Sequence, residues 1–418
     1  MELTNEQRRT ILLLEALGLV HDIGKLSDKF LVLKSRSVGN NGDFHYDLFV
    51  DPSKVSLFKG SGDPSAQNDA RNKVTEWLTS AETPENCAFS ERSDFTDTLN
   101  SISITDWHKT SYTLAELAPL VMHPVYNSNK YDWKGEFGKP MNPGLLIGTM
   151  HGVAHIDKPS EADPKKQPYD DMYRATPFGY ETRIEPGSSS KILSSLPLYD
   201  LETVVSGTRE RRVWLENMKT GLDEAIADTQ RPLNDVTLWD WGYLVASLTK
   251  AAARYLFISG KAQTLFKDIP LNVLRINVDM LDLYTHSDRI SDLLGKQTIL
   301  ENAFNAVREI IEFDWALGNR LYHDETGAYY LLPGDIWDTE TEQTLRENIQ
   351  ARFSDDLIPR VYLGEQFLVG DLDQQNGGNR EYRLVAIRKL IANPRKNAQK
   401  EPAVMAGNNL YHFEDEWS

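Results

Sequence analysis

Cysteine is almost missing from this 418-residue chain: Cys87 stands alone. Neither a disulfide framework nor a cysteine-ligated zinc site can form within it, and a reducing compartment, the cytoplasm by default, is expected. Long apolar runs are missing too. No stretch of about 18 uninterrupted apolar residues occurs, and the opening MELTNEQRRTILLLEALGLVHD sets charges on both sides of a short apolar run, so neither a membrane span nor a signal peptide is expected. Positive charge is in deficit. The 45 Lys and Arg against 62 Asp and Glu give a formal net charge of −17, which excludes coating by nucleic acid through bulk attraction and confines any such contact to a local patch. Internal repeats and low-complexity tracts are absent.

What is present is ordinary globular material. Hydrophobic residues make up 40% and charged residues 26%, enough to build real cores, and the length suggests two units with connecting segments. Thr4 followed by Gln7 reads as a capping box, and the run Ile11 to Val20 as a buried helix that delivers His21 and Asp22, with Gly24 as its stop. Residues 36–72, rich in Gly, Asn, Asp and Ser, read as an excursion from a helical body. Helices are expected around 112–123, 142–156, 209–228 and 237–258. The proline-rich stretch 158–190 is expected to be an ordered loop or lid, because Tyr173, Phe178 and Tyr180 interrupt it.

The period changes after Pro270. Leu274, Ile276 and Val278 alternate with Arg275, Asn277 and Asp279, as in a strand with one polar face. Ile299, Ala303, Phe304, Val307, Ile310 and Ile311 then repeat at helical spacing, and RLYHDETGAYYLLP reads as a hairpin turning at Asp324 to Gly327. With a helix over 340–353 and a strand over 359–363, these elements make a ferredoxin-like unit. The expected fold class is α+β: a mainly α-helical domain over 1–265, the ferredoxin-like domain over 266–365, and a linker or truncated tail over 366–418.

The chemistry-bearing residues are histidines and carboxylates. An adjacent His-Asp pair at the end of a buried helix can present an imidazole nitrogen and a carboxylate oxygen to a divalent cation, since both suit borderline metals. Two donors hold a metal poorly, and further ligand candidates are His108 in DWHKTSYTLAEL, His123 in LVMHP, and the cluster MHGVAHIDKP. Within that cluster the choice stays open: Asp157 stands first, His155 second, and His151 is given a capping or packing role. The plainer alternative for His108 and His123 is that of half-buried histidines without a ligand, and His45 and His286 read as surface residues. A metal in such a site would lower the pKa of bound water and polarise a phosphate oxygen, as phosphodiester hydrolysis requires. Lys25, one turn beyond His21, can stabilise developing phosphate charge. Lys25, Lys29, Lys34 and Arg36 form either a strip for single-stranded nucleic acid or a solvated helix face.

LEALGLVHDIGKLSDKF resembles the N-terminal His-Asp motif of the CRISPR-associated HD nuclease and polymerase family, the large subunits of type III CRISPR effector complexes. DWHKTSYTLAEL, LVMHP and VAHIDKPSE look like the three motifs that follow in that family, with His155 where an Asp is frequent and Asp157 two residues later. TLWDWGYLVASLTKAAARYL is similar to the helix before the family's first palm domain, although Trp241 stands where a histidine is frequent. LRINVDMLDLY, the helix through Phe304, and LYHDETGAYYLLPGD look like that palm. The resemblance covers roughly 1–365.

The resemblance implies a metal-dependent HD nuclease domain followed by a degenerate palm. The Gly-Gly-Asp-Asp tetrad that makes cyclic oligoadenylates in active members is absent, with Asp324 to Gly327 in its place. A residual Mg²⁺ site from Asp279 with Asp324 or Glu325 is the rival to a purely structural palm. Further implications are a divalent cofactor (Mn²⁺, Mg²⁺ or a similar transition metal), a single-stranded DNA substrate, other effector subunits as partners, and crRNA and target RNA met indirectly. The chain would then be a truncated subunit, one half of a split one, or an expressed fragment. Two alternatives stand beside this reading: a non-catalytic scaffold subunit, and a free-standing HD hydrolase of nucleotides or cyclic dinucleotides, which would need a closed small-ligand pocket.

Overall fold

Thr4 caps the first helix, α1 (Asn5–Val20), in the expected way: its side chain accepts from the Gln7 backbone N–H while the Gln7 side chain accepts from the Thr4 backbone. From Thr10 onward α1 is buried on every side, and each of its leucines and isoleucines contributes about 1.5–3 kcal/mol by leaving water. The architecture is that of a computed structural model describing residues 2–26, 78, 92–122, 142–154, 172–175, 181–184, 187–226, 236–262, 264–278, 284–285, 287, 289–324, 327–354 and 357–372. Among these residues no helix is long and apolar enough to cross a membrane.

Helices dominate the first part: α2 (Arg92–Ser101), α3 (Leu114–Met122), α4 (Pro143–Ala154), α5 (Ser188–Ser195), α6 (Thr203–Ser206), α7 (Thr208–Leu222) and α8 (Leu238–Ile258) surround α1. Thr237 and Asp240 form a second capping box that starts α8, the longest and most central of these helices. Two short antiparallel pairs lie among them, β1 (Ser103–Thr105) with β2 (Ser111–Thr113) and β3 (Met172–Ala175) with β4 (Glu181–Ile184). The second pair corrects the expectation of a loop over 158–190. Pro159, Pro164 and Pro168 precede the strands and Pro177 falls between them in sequence, so no ladder N–H is lost and MYRA and ETRI can pair.

The second part is β5 (Pro270–Asn277), α9 (Ile290–Glu309), β6 (Asn319–Asp324), β7 (Gly327–Pro333), α10 (Thr339–Gln350) and β8 (Arg360–Leu363), with the two-residue β9 (Phe367–Leu368) beside β5. The strands pair antiparallel in the order β6-β7-β5-β8. One sheet face packs Leu274, Ile276, Tyr330 and Val361 against Phe304 and Val307 of α9 and Leu345 of α10. This β-α-β-β-α-β order with both helices on one face is the ferredoxin-like pattern. Leu271 and Leu331, on the other face, join the core of the helical body, so the two parts share one apolar cluster across position 265.

Helices α1 and α8 cross almost without side chains between them. A Cβ on Gly242 would lie 2.4 Å from the Leu19 carbonyl oxygen, and one on Gly18 3.0 Å from the Ala246 Cα. Gly242→Ala therefore forces two backbones apart, and we expect it to lower unfolding free energy by about 1–3 kcal/mol in urea titrations. An unchanged midpoint would mean that the crossing is not tightly set.

Candidate metal centre

The close crossing of α1 and α8 places the end of α1 against Trp241. His21 is the C-cap of α1, and the chain then turns through a 3₁₀ segment, Ile23–Leu26, that folds Lys25 back onto Asp22. Gly24 lies inside this turn rather than at the helix end. The third component arrives from α4, whose last turn carries His151.

Three donors converge. His21 Nε2, Asp22 Oδ2 and His151 Nδ1 lie at pairwise distances of 2.9 Å (His21 to His151), 3.4 Å (His21 to Asp22) and 3.8 Å (His151 to Asp22). His21 is 0% exposed, Asp22 2% and His151 8%. The His21 Nδ1 is 2.7 Å from the Gly18 carbonyl, so Nδ1 carries the proton it donates there and Nε2 is left with the lone pair. Burial by itself would raise the Asp22 carboxyl, but the Lys25 ammonium and the two imidazoles hold it well below the usual carboxylate range. Asp22 is an anion at neutral pH.

Two nitrogen and one oxygen donor at this spacing match the chemistry of a borderline divalent cation, and they form a group in which every ligand atom lies within 4.8 Å of the others. The fit is contested by the protein's own donors. The Trp241 indole N–H points at His21 Nε2 from 3.1 Å, and Lys25 Nζ sits 2.6 Å from Asp22 Oδ2. A cation entering here displaces an indole N–H and an ammonium, not solvent alone. Trp241 also packs edge-on to His151 at 5.4 Å and beneath Lys25 at 5.4 Å.

Of the site residues expected from sequence, the ligands His21 and Asp22 and the phosphate-assisting Lys25 meet here. His108 does not join them: it lies half-buried in the β1–β2 turn, where Asp106 Oδ1 accepts its backbone N–H at 2.8 Å and Trp107 is its ring neighbour at 6.1 Å. His123, His155, Asp157, Asp279 and Glu325, and the basic residues Lys29, Lys34 and Arg36, lie outside the described residues. Asp324 ends β6, paired with Gly327 at the hairpin. His151, read from sequence as a cap or packing residue, is the one that reaches His21. Its signal was the i, i+4 spacing of His151 and His155, which puts both on one helix face without saying which points inward. Trp241 carried no ligand chemistry of its own; its one signal was that it stands where the resembled family frequently has a histidine.

No known family profile matches the chain, and no curated protein matches it. Solved structures of a Csm1–Csm4 cassette resemble it. The one in complex with cA3 is 14% identical at a TM-score of 0.46, covering 94% of this chain and 49% of its own. The complex with pppApApA gives 14%, 0.48, 92% and 49%, and the apo cassette 11%, 0.43, 93% and 50%. The chain thus spans about half the length of the solved chains that it resembles.

Proposed function

We propose that this chain is a divalent-metal-dependent phosphodiesterase acting on single-stranded DNA, the nuclease module of a type III CRISPR effector large subunit. The ferredoxin-like unit is read as a degenerate palm that meets other subunits, with crRNA and target RNA reaching the module only through the assembly. The observation that carries the hydrolase reading is the convergence of His21, Asp22 and His151 at the end of one buried helix. The order of the sequence motifs supports the CRISPR assignment.

A bound divalent ion would supply an acidified water and a polarised phosphate oxygen. The protein's own groups do the rest. Gly18 fixes the His21 tautomer, as outer partners of ligand histidines do. Asp22, ionised at neutral pH, offers a full negative charge. Lys25 is 13% exposed at its side chain against 2% for Asp22, so of the two it faces outward, where its ammonium can meet a phosphate oxygen once Asp22 has another cation.

The test is Mn²⁺-dependent cleavage of labelled single-stranded DNA by the purified chain, beside a His21→Ala, Asp22→Ala double variant, with duplex DNA and cyclic dinucleotides as competitors. We expect cleavage of the single strand by wild type and none by the double variant. Preference for a cyclic dinucleotide would replace the substrate class. A second reading, a structural knot in a scaffold subunit, is favoured by the Trp241 and Lys25 donors already seated on His21 and Asp22. Equal inertness of both folded proteins, alone and with partner subunits, would select it.

A further inference from the structure

A second buried polar cluster joins the two parts of the molecule. Glu15 of α1, Arg211 of α7 and Lys250 of α8 come from the helical body, while Arg308 at the end of α9, Glu312 and Asn319 come from the ferredoxin-like unit. Lys250 and Glu312 are 0% exposed, and Glu15 is 2%. The Lys250 ammonium uses three donors on three acceptors: Glu15 Oε2 at 2.9 Å, Asn319 Oδ1 at 2.9 Å and the Glu312 backbone carbonyl at 2.6 Å. Arg211 bridges the two carboxylates, donating to Glu15 Oε1 and, at 2.9 Å, to Glu312 Oε2. Arg308 and the Arg320 backbone N–H occupy the other Glu312 oxygen at 2.9 and 3.0 Å.

The backbone at Glu312 is unusual in the same place. Residues Ile310–Asp314 form a π turn, closed by the Trp315 N–H on the Ile310 carbonyl at 2.9 Å. Two residues beyond it, Ala316 is left-handed at φ 43° and fully buried, a conformation that is strained in a non-glycine residue and persists only when its surroundings hold it. Buried ion clusters give little net stability over apolar packing of the same volume. Their strength is geometric: each partner fixes where the others lie.

The helices so fixed are the ones that build the metal centre. Glu15 precedes His21 by six residues on α1, about 9 Å along the axis, and Lys250 follows Trp241 by nine on α8, about 13.5 Å. Between cluster and centre lie the Gly18–Ala246 and Gly242–Leu19 contacts, which leave the two helices little room to slide. We propose that Glu312 is a positioning residue for the His21–Asp22–His151 centre, through which the ferredoxin-like unit sets the placement of α1 against α8 and hence the spacing of the donors. Its purpose rests on the metal reading above; its geometry does not.

The test reads the imidazoles of the metal-free protein by ¹H–¹⁵N correlation after ¹⁵N-histidine labelling, with the His21 and His151 signals assigned from single His→Gln variants. Glu312→Gln is compared with the Lys250→Met, Glu312→Gln pair, which leaves the cluster's net charge unchanged if the single variant folds poorly. Leu345→Ala, in the core beneath α10, serves as a control for general loss of stability. We expect both Glu312 variants to displace the His21 and His151 signals while Leu345→Ala leaves them in place, and Mn²⁺ affinity to fall roughly tenfold in the Glu312 variants. Superimposable imidazole signals in both, or equal displacement by Leu345→Ala, would overturn the proposal. A wild type that binds no Mn²⁺ in a His21-dependent way, with the signals still displaced in the Glu312 variants, would retire the metal reading and leave the coupling standing.

Discussion

Arg211→Met is expected to lower the unfolding free energy by about 3–5 kcal/mol at neutral pH, the loss typical of a buried ion cluster that has one partner removed. Arg211 is 4% exposed and sits between two carboxylates that are themselves buried. Without it, Glu15 keeps Lys250 and Glu312 keeps Arg308, but the two negative charges face each other across the gap. Burial works to raise both carboxyls, and the surrounding cations overcome it, so Glu15 and Glu312 are held below their ordinary value of 4.5. A carboxyl depressed in the folded state stabilises above its unfolded pKa and loses that contribution as pH falls through its folded one. Wild-type stability should therefore drop as pH falls below about 4.5, and the gap between wild type and Arg211→Met should narrow there, because the variant has less carboxylate stabilisation to lose. Guanidinium titrations at pH 7 and pH 3 measure both. A loss under about 1 kcal/mol at pH 7 would place the cluster among ion pairs of no consequence.

Asp22→Asn is expected to weaken Mn²⁺ binding by roughly a hundredfold or more, beyond the tenfold to hundredfold that loss of an outer partner costs. The carboxylate is the sole charged donor of the three, and at neutral pH a metal competes for it with the Lys25 ammonium rather than with a proton. The same competition gives the sign for Lys25→Met: Mn²⁺ should bind more tightly while cleavage slows, since the variant removes a rival cation and a phosphate contact together. Titration of Mn²⁺ followed by its electron paramagnetic resonance signal reads both affinities. An Asp22→Asn protein that binds Mn²⁺ like wild type would show that the ion sits elsewhere.

Local chemistry was legible where one short-range rule decides the outcome. Thr4 with Gln7 and Thr237 with Asp240 start their helices because a side-chain oxygen three residues away satisfies an otherwise orphaned N–H. The alternation through Leu274, Ile276 and Val278 marked β5 because one sheet face meets α9 and α10. The β3–β4 pair escaped notice because prolines dominate the composition around it while the strands themselves contain none, and β1 and β2 are too short, at three residues each, to show a period.

The α+β class, the shift from helical to strand patterning near Pro270, and the presence of His21 and Asp22 together at a helix end are all local matters, since each follows from spacing along one segment. Which distant residue completes the cluster depends instead on how the helices pack. His151, 130 positions from His21, reaches it from the last turn of α4, and Trp241, 220 positions away, reaches it because glycines at positions 18 and 242 let α1 and α8 close to backbone contact. The pairing of Lys250 with Glu15 and with the π-turn carbonyl of Glu312 was equally hidden. A buried lysine, and a glutamate buried with it, look like surface residues until the fold removes the water around them.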